Sequence, residues 1–124
     1  MLEASGIPAP IVKAMSDKGY ENLTPVQEEV FKDDYSGLDL LVSAQTGSGK
    51  TIAFGLAIVE NILSDNSFFK TPKSPEALII VPTRELALQV KNELSWLLVS
   101  SEAKIISISN LKISQFSLFF TYKS

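Results

Sequence analysis

LDLLVSAQTGSGKT, residues 38–51, decides how this chain folds. The run Leu38–Ser43 is nearly all apolar, the composition of a strand buried in a parallel sheet. Gly47 and Gly49 break that run, and a helix is expected from about Lys50 to Leu63. Between strand and helix lies AQTGSGKT, residues 44–51. A loop that cradles phosphate needs backbone N–H groups converging on one point, and glycines permit the close approach and unusual dihedrals. Lys50 supplies a mobile positive charge for the β- and γ-phosphates, and the Thr51 hydroxyl can ligate Mg²⁺. The positive end of the following helix points at the same phosphates. Ala44 stands where the general pattern has glycine, a mild change because alanine is small. A glycine- and serine-rich turn that binds nothing is the competing reading. The joint match of both glycines, Lys50 and Thr51 in a strand-to-helix setting outweighs it. Such loops serve kinases, GTPases, ATPases and motors alike, so the reaction stays open on this ground alone.

Working outward, apolar residues recur at helical spacing from Ile7 to Lys18, and Gly19 stops them. Thr24-Pro25 reads as a cap and a first-turn proline opening a short helix through about Phe31. Ser36-Gly37 is a turn, and the polar stretch 64–75 is a surface loop. Ala77 to Val81 is a second apolar strand, ended by Pro82. Thr83 caps a helix that puts Leu86, Ala87, Val90, Leu94, Leu97 and Leu98 on one face. Trp96 falls between the positions of that stripe and is expected to be partly buried. Lys104 to Ile108 is a candidate third strand. Strands alternating with helices imply an α/β fold with a mostly parallel sheet, crossover helices and three layers. The tail NLKISQFSLFFTYKS, residues 110–124, differs in character. It reads equally as one more strand or as sequence unrelated to the rest, and an unpaired FSLFFTY would be an aggregation hazard. The expected organisation is a helical region over 1–35, a nucleotide-binding lobe over 36–109 and this tail.

Composition narrows the chemistry. The 124 residues are 45% hydrophobic and 20% charged, a globular balance with room for one modest core. There is no cysteine and no histidine, which excludes disulfides, thiolate metal sites and histidine general bases. The N-terminus lacks the layout of a secretory signal and no apolar stretch reaches membrane length, so a cytoplasmic protein without membrane contact is expected. Net charge is −3; the last 22 residues hold Lys104, Lys112 and Lys123 and no acid, which leaves −6 on the rest. That argues against a basic surface as the main source of nucleic-acid affinity. Phosphate contacts from backbone amides and helix ends stay available.

Two further stretches carry a resemblance. GYENLTPVQ, residues 19–27, precedes the phosphate loop, and PTRELALQ, residues 82–89, follows the next strand. With AQTGSGKT, and in this order, they resemble the Q motif, motif I and motif Ia of the DEAD-box ATP-dependent RNA helicases. The resemblance covers about residues 2–106 and implies the first RecA-like lobe, with ATP and Mg²⁺ as cofactors and RNA as partner; a monomer is expected. It assigns the nucleotide to Ala44, Gln45, Thr46, Gly47, Ser48, Gly49, Lys50 and Thr51, with Lys50 and Thr51 also catalytic and Thr51 on the metal. It implies that Gln27 reads the adenine edge, its amide offering both donor and acceptor. The family usually has an aromatic against the base 17 residues before Gly19; here that position is Leu2. Tyr20 matches the aromatic after the motif's glycine, with core packing the stronger reading for it. Pro82, Thr83, Arg84 and Glu85 match residues that hold the RNA backbone. A helix N-terminus suits phosphate, and Arg84 can grip it with two bonds. Equally, Thr83 is a cap and Arg84 and Glu85 a solvated first turn.

The resemblance also shows what this sequence lacks. Hydrolysis needs a carboxylate to help hold Mg²⁺ and orient water. The family draws it from an Asp-Glu-Ala-Asp tetrapeptide that does not occur here, and the Ser-Ala-Thr motif is absent too. The chain is therefore expected to bind ATP without being a complete ATPase. The alternatives are a non-catalytic ATP-binding or interaction module, and another class of P-loop ATPase.

Overall fold

A computed structural model describes residues 2, 5–32, 35, 37–62, 77–99, 103–108 and 117–123. Four helices and three strands follow in the order α1 (Ala9–Asp17), α2 (Pro25–Val30), α3 (Lys50–Ile62), β1 (Ala77–Val81), α4 (Arg84–Leu97), β2 (Ala103–Ile108) and β3 (Ser117–Lys123).

Local chemistry sets the helix ends. Pro8 and Pro10 flank the start of α1, where a proline's missing N–H is no loss. Gly19, at φ +88°, turns the chain out of it. Thr24 and Pro25 open α2, and the Thr24 N–H donates to Gln27 Oε1 at 3.0 Å. Thr83 caps α4 as expected, its Oγ1 accepting from the Leu86 N–H at 3.2 Å.

The core forms where apolar faces meet. Ile11 and Met15 of α1, Ile52, Leu56 and Val59 of α3, and Val90, Leu94 and Leu97 of α4 are buried together. Gly55 lets α3 and α4 approach closely: a Cβ there would lie 2.5 Å from Leu97 Cδ2 and 2.8 Å from Leu94 Cδ2. Ile79 and Val81 of β1 and Ile105 of β2 face this core.

The sheet differs from expectation. Its order is β1-β3-β2, and β3 is antiparallel to both neighbours. Thr121, for example, stands opposite both Ala77 and Ile105. β1 and β2 run the same way, as a strand-helix-strand unit requires, but do not touch. The mostly parallel sheet read from the sequence is therefore corrected: every pairing among the described residues is antiparallel, because residues 117–123 occupy the place between β1 and β2. Of the two readings of the tail, that part of it is a strand.

The expected strand at 38–43 is also corrected. These residues have no regular structure, and Leu41 is 101% exposed. A strand buried on both faces needs hydrogen-bonded neighbours and a covering layer on each side. The described residues cover one face of β1 only, leaving Leu78 and Ile80 53% and 57% exposed. Beside the run, a cavity of about 430 Å³ is lined by Phe31, Leu38, Leu40, Val42 and Phe54, with Lys50 at its wall.

Candidate functional site: the phosphate loop and its clamp

Residues 44–51 form a tight loop into α3. The Ser48 N–H donates to the Gln45 carbonyl at 3.2 Å, closing a turn. Gly47 and Gly49 take φ +82° and +84°, the left-handed region anticipated from their role. Lys50 Nζ donates to the Ala44 carbonyl at 2.7 Å, which folds the amine back over the loop. Gln45, Thr46 and Gly47 are exposed; Ala44, Ser48, Gly49, Lys50 and Thr51 are half-buried.

Gln27 meets this loop from the side and is 0% exposed. Its Oε1 accepts from the Thr24 N–H, and its Nε2 donates to the Gly49 carbonyl at 3.2 Å. The same carbonyl accepts the Ala53 N–H at 3.1 Å, the first bond of α3. Both lone pairs of Gly49 are thus used, one by the helix and one by the 19–27 stretch. A side chain at position 49 would collide with the Gln27 amide and press on Thr24 Oγ1 at 3.1 Å. Glycine here meets two demands at once, dihedral and space. Thr24 Oγ1, close to position 49, and Ser48 Oγ, in the loop, are buried with no hydrogen-bond partner among the described residues. Unsatisfied buried hydroxyls beside a loop of this geometry suit a polar ligand. The sequence pointed to Gln27 but not to its partner, because a contact across 22 residues leaves no local signal.

The other expected site residues divide. Tyr20 stacks on Trp96, with ring centroids 5.7 Å apart and planes at 17°, and packs against the core. Leu2 is buried in the core cluster with Ile7 and Ile11, where its apolar side chain is removed from water. Pro82, Thr83, Arg84 and Glu85 are exposed at the N-terminus of α4, separate from the loop in sequence and brought to the C-terminal end of β1. Among the described residues no cluster of three or more His, Asp or Glu could hold a metal ion. Among the same residues no helix is long and apolar enough to cross a membrane.

Residues 24–117 match the DEAD/DEAH box helicase family. The chain belongs to that family. Its curated relatives include DEAD-box ATP-dependent RNA helicase 9, mitochondrial, of Arabidopsis thaliana, 43% identical over 88 residues, which are 71% of this chain and 14% of the relative. ATP-dependent RNA helicase DeaD of Escherichia coli K12 is 45% identical over 85 residues, 68% of this chain and 13% of the relative. Among solved structures, the RNA-helicase Prp28 from Chaetomium thermophilum bound to ADP superposes with a TM-score of 0.74 at 32% identity, covering 87% of this chain and 26% of that one. The α/β, RecA-like character of the fold rests on that likeness. The chain spans between 10% and 19% of the length of the curated relatives it matches.

Proposed function

We propose that this chain is the ATP-binding portion of a DEAD-box RNA helicase, an enzyme that couples ATP hydrolysis to unwinding RNA duplexes or remodelling RNA–protein complexes. The observation that carries this reading is the phosphate loop held by Gln27, with both loop glycines left-handed and α3 starting at Lys50. Backbone amides of residues 46–51 and the α3 N-terminus would receive the phosphates. Lys50 would exchange the Ala44 carbonyl for phosphate oxygens, a stronger, charge-assisted partner. The Thr51 hydroxyl would hold Mg²⁺ together with the phosphates themselves. Bound Mg²⁺ would offset the charge on the β- and γ-oxygens. By the family resemblance Gln27 would read the adenine edge, its amide offering both a donor and an acceptor once the base displaces what now covers it. Exposed Thr83 and Arg84, with the α4 amides and flanking Pro82 and Glu85, would take RNA phosphates.

The rest of the proposal follows the family. The carboxylate for hydrolysis and the second lobe would come from the larger helicase, and Lys50 and Thr51 would act in catalysis together with them. The three-layer arrangement, with helices over Leu78 and Ile80, belongs to the larger protein. Divisions at 1–35, 36–109 and 110–124, a monomeric state and a cytoplasmic location belong to the same reading. The pairing of β3 with both β1 and β2 favours a second reading, in which the 124 residues fold alone as an ATP-binding module. Thermal unfolding of the purified chain with Mg²⁺ and either ATP or GTP tests both. A cooperative transition raised by ATP and little by GTP supports adenine reading by a folded unit. A cooperative transition moved by neither nucleotide sinks the site assignment, and no cooperative transition removes the second reading.

A further inference from the structure

The 19–27 stretch is fixed at both ends. At one end, Gln27 holds the Gly49 carbonyl. At the other, Tyr20 lies on Trp96 of α4. Trp96 is itself held in place: Lys18 Nζ sits 5.6 Å from the ring centroid, and the indole N–H donates to Glu93 Oε2 at 3.3 Å. The backbone between them is short: the Tyr20 N–H donates to the Met15 carbonyl at one end, and the Thr24 N–H donates to Gln27 Oε1 at the other, where Pro25 opens α2. A displacement of the phosphate loop that moves Gly49 therefore pulls on a segment whose far end rests on α4.

We propose that Trp96 is a positioning residue for nucleotide binding: through its stack on Tyr20 it anchors the segment that sets Gln27 against the phosphate loop. The proposal rests on the ATP-binding reading above. Trp96 touches no nucleotide in this account. It limits how far Gln27 can drift from Gly49, and so keeps the loop near its binding shape before ligand arrives. An aromatic pair of this kind is worth about a two- to tenfold change in an equilibrium constant.

Trp96 is the chain's one tryptophan, so its emission reports on the stack directly. The test titrates the 124-residue chain with Mg²⁺-ATP, by calorimetry and by tryptophan emission together. The expected result is an emission change with the calorimetric midpoint, lost in Gln27→Ala. Trp96→Leu should weaken ATP binding by about two- to tenfold, while Trp96→Phe, which keeps an aromatic face, restores it. Tyr20→Leu should match Trp96→Leu; if it does not fold, the two Trp96 variants decide. ATP heat with equal affinity in Trp96→Leu and Trp96→Phe overturns the proposal and leaves the ATP reading standing. No ATP heat in the unaltered chain overturns both.

Discussion

Gln27 Nε2 donates to the Gly49 carbonyl at 3.2 Å, joining the residue before the middle of α2 to the last residue before α3. The amide is buried and both its ends are bonded to backbone. Its removal leaves the half-buried Thr24 N–H and the Gly49 carbonyl each short of one bond. Gln27→Ala should destabilise the chain by about 1–3 kcal/mol, the cost of orphaning a buried polar group. It should also flatten the preference for ATP over GTP. Urea unfolding measures the first and competition between the nucleotides the second; an unchanged midpoint would mean that the clamp carries no energy.

Gly47 and Gly49 share a left-handed backbone but not their surroundings. A Cβ at 47 meets open space, whereas one at 49 meets Gln27 and Thr24. Either alanine costs about 1–2 kcal/mol for the backbone. Gly49→Ala should cost about 1–3 kcal/mol more, the range for crowding a packed site. Equal losses in denaturant unfolding of the two variants would contradict the contact.

Lys50 donates to the Ala44 carbonyl at the surface of a loop. Lys50→Ala should leave folding nearly unchanged and weaken ATP binding by about 1.5–3 kcal/mol, the worth of a hydrogen bond to a charged group. Calorimetry decides, and wild-type affinity in the variant would mean that the loop holds no phosphate.

Gly55 sets two effects against each other. Alanine gains about 1 kcal/mol of helix propensity over glycine. Its methyl would meet Leu97 Cδ2 at 2.5 Å and Leu94 Cδ2 at 2.8 Å. Both leucines are fully buried, so neither can swing into solvent, and overpacking costs about 1–3 kcal/mol. The expected net effect is a destabilisation of up to about 2 kcal/mol. A rise in melting temperature would show that α4 shifts to admit the methyl.

Glu29 accepts from Lys32 Nζ at 2.5 Å and from the Tyr35 hydroxyl at 2.6 Å. These two bonds, Lys32 first, hold its carboxyl below the usual value of 4.5. A lowered folded value means that the bonds stabilise the chain above the ordinary carboxylate range. That contribution fades as pH falls through the lowered value. The effect is small because the pair is exposed. Melting temperature followed from about pH 6 to pH 3 should fall less steeply in Glu29→Gln; parallel curves would remove Glu29 from the acid response.

What could be read from sequence was local. Two glycines, a lysine and a threonine between an apolar run and a helix specify a loop whatever surrounds it, and both dihedrals came out left-handed. The Thr83 cap and the Leu86–Leu98 stripe were legible for the same reason, since cap and stripe depend on neighbours one or two turns away. The run 38–43 misled because burial is decided by distant partners: its apolar residues need strands and helices that the described residues do not supply. Leu2 and Tyr20 were singled out only by resemblance, and the stack of Tyr20 on Trp96, 76 positions away in sequence, left no local signal. The Gln27–Gly49 bond left no trace, since neither residue's neighbours announce the other.

The position of β3 has a consequence for how the chain is made. Among the described residues β1 and β2 do not pair with each other, and each pairs with residues 117–123. A ribosome working from the N-terminus delivers that strand last of the three, so the helices can associate while the sheet must wait. Until residues 117–123 emerge, β1 and β2 lack the partner that pairs them here, and their edges are open to chaperones and to aggregation.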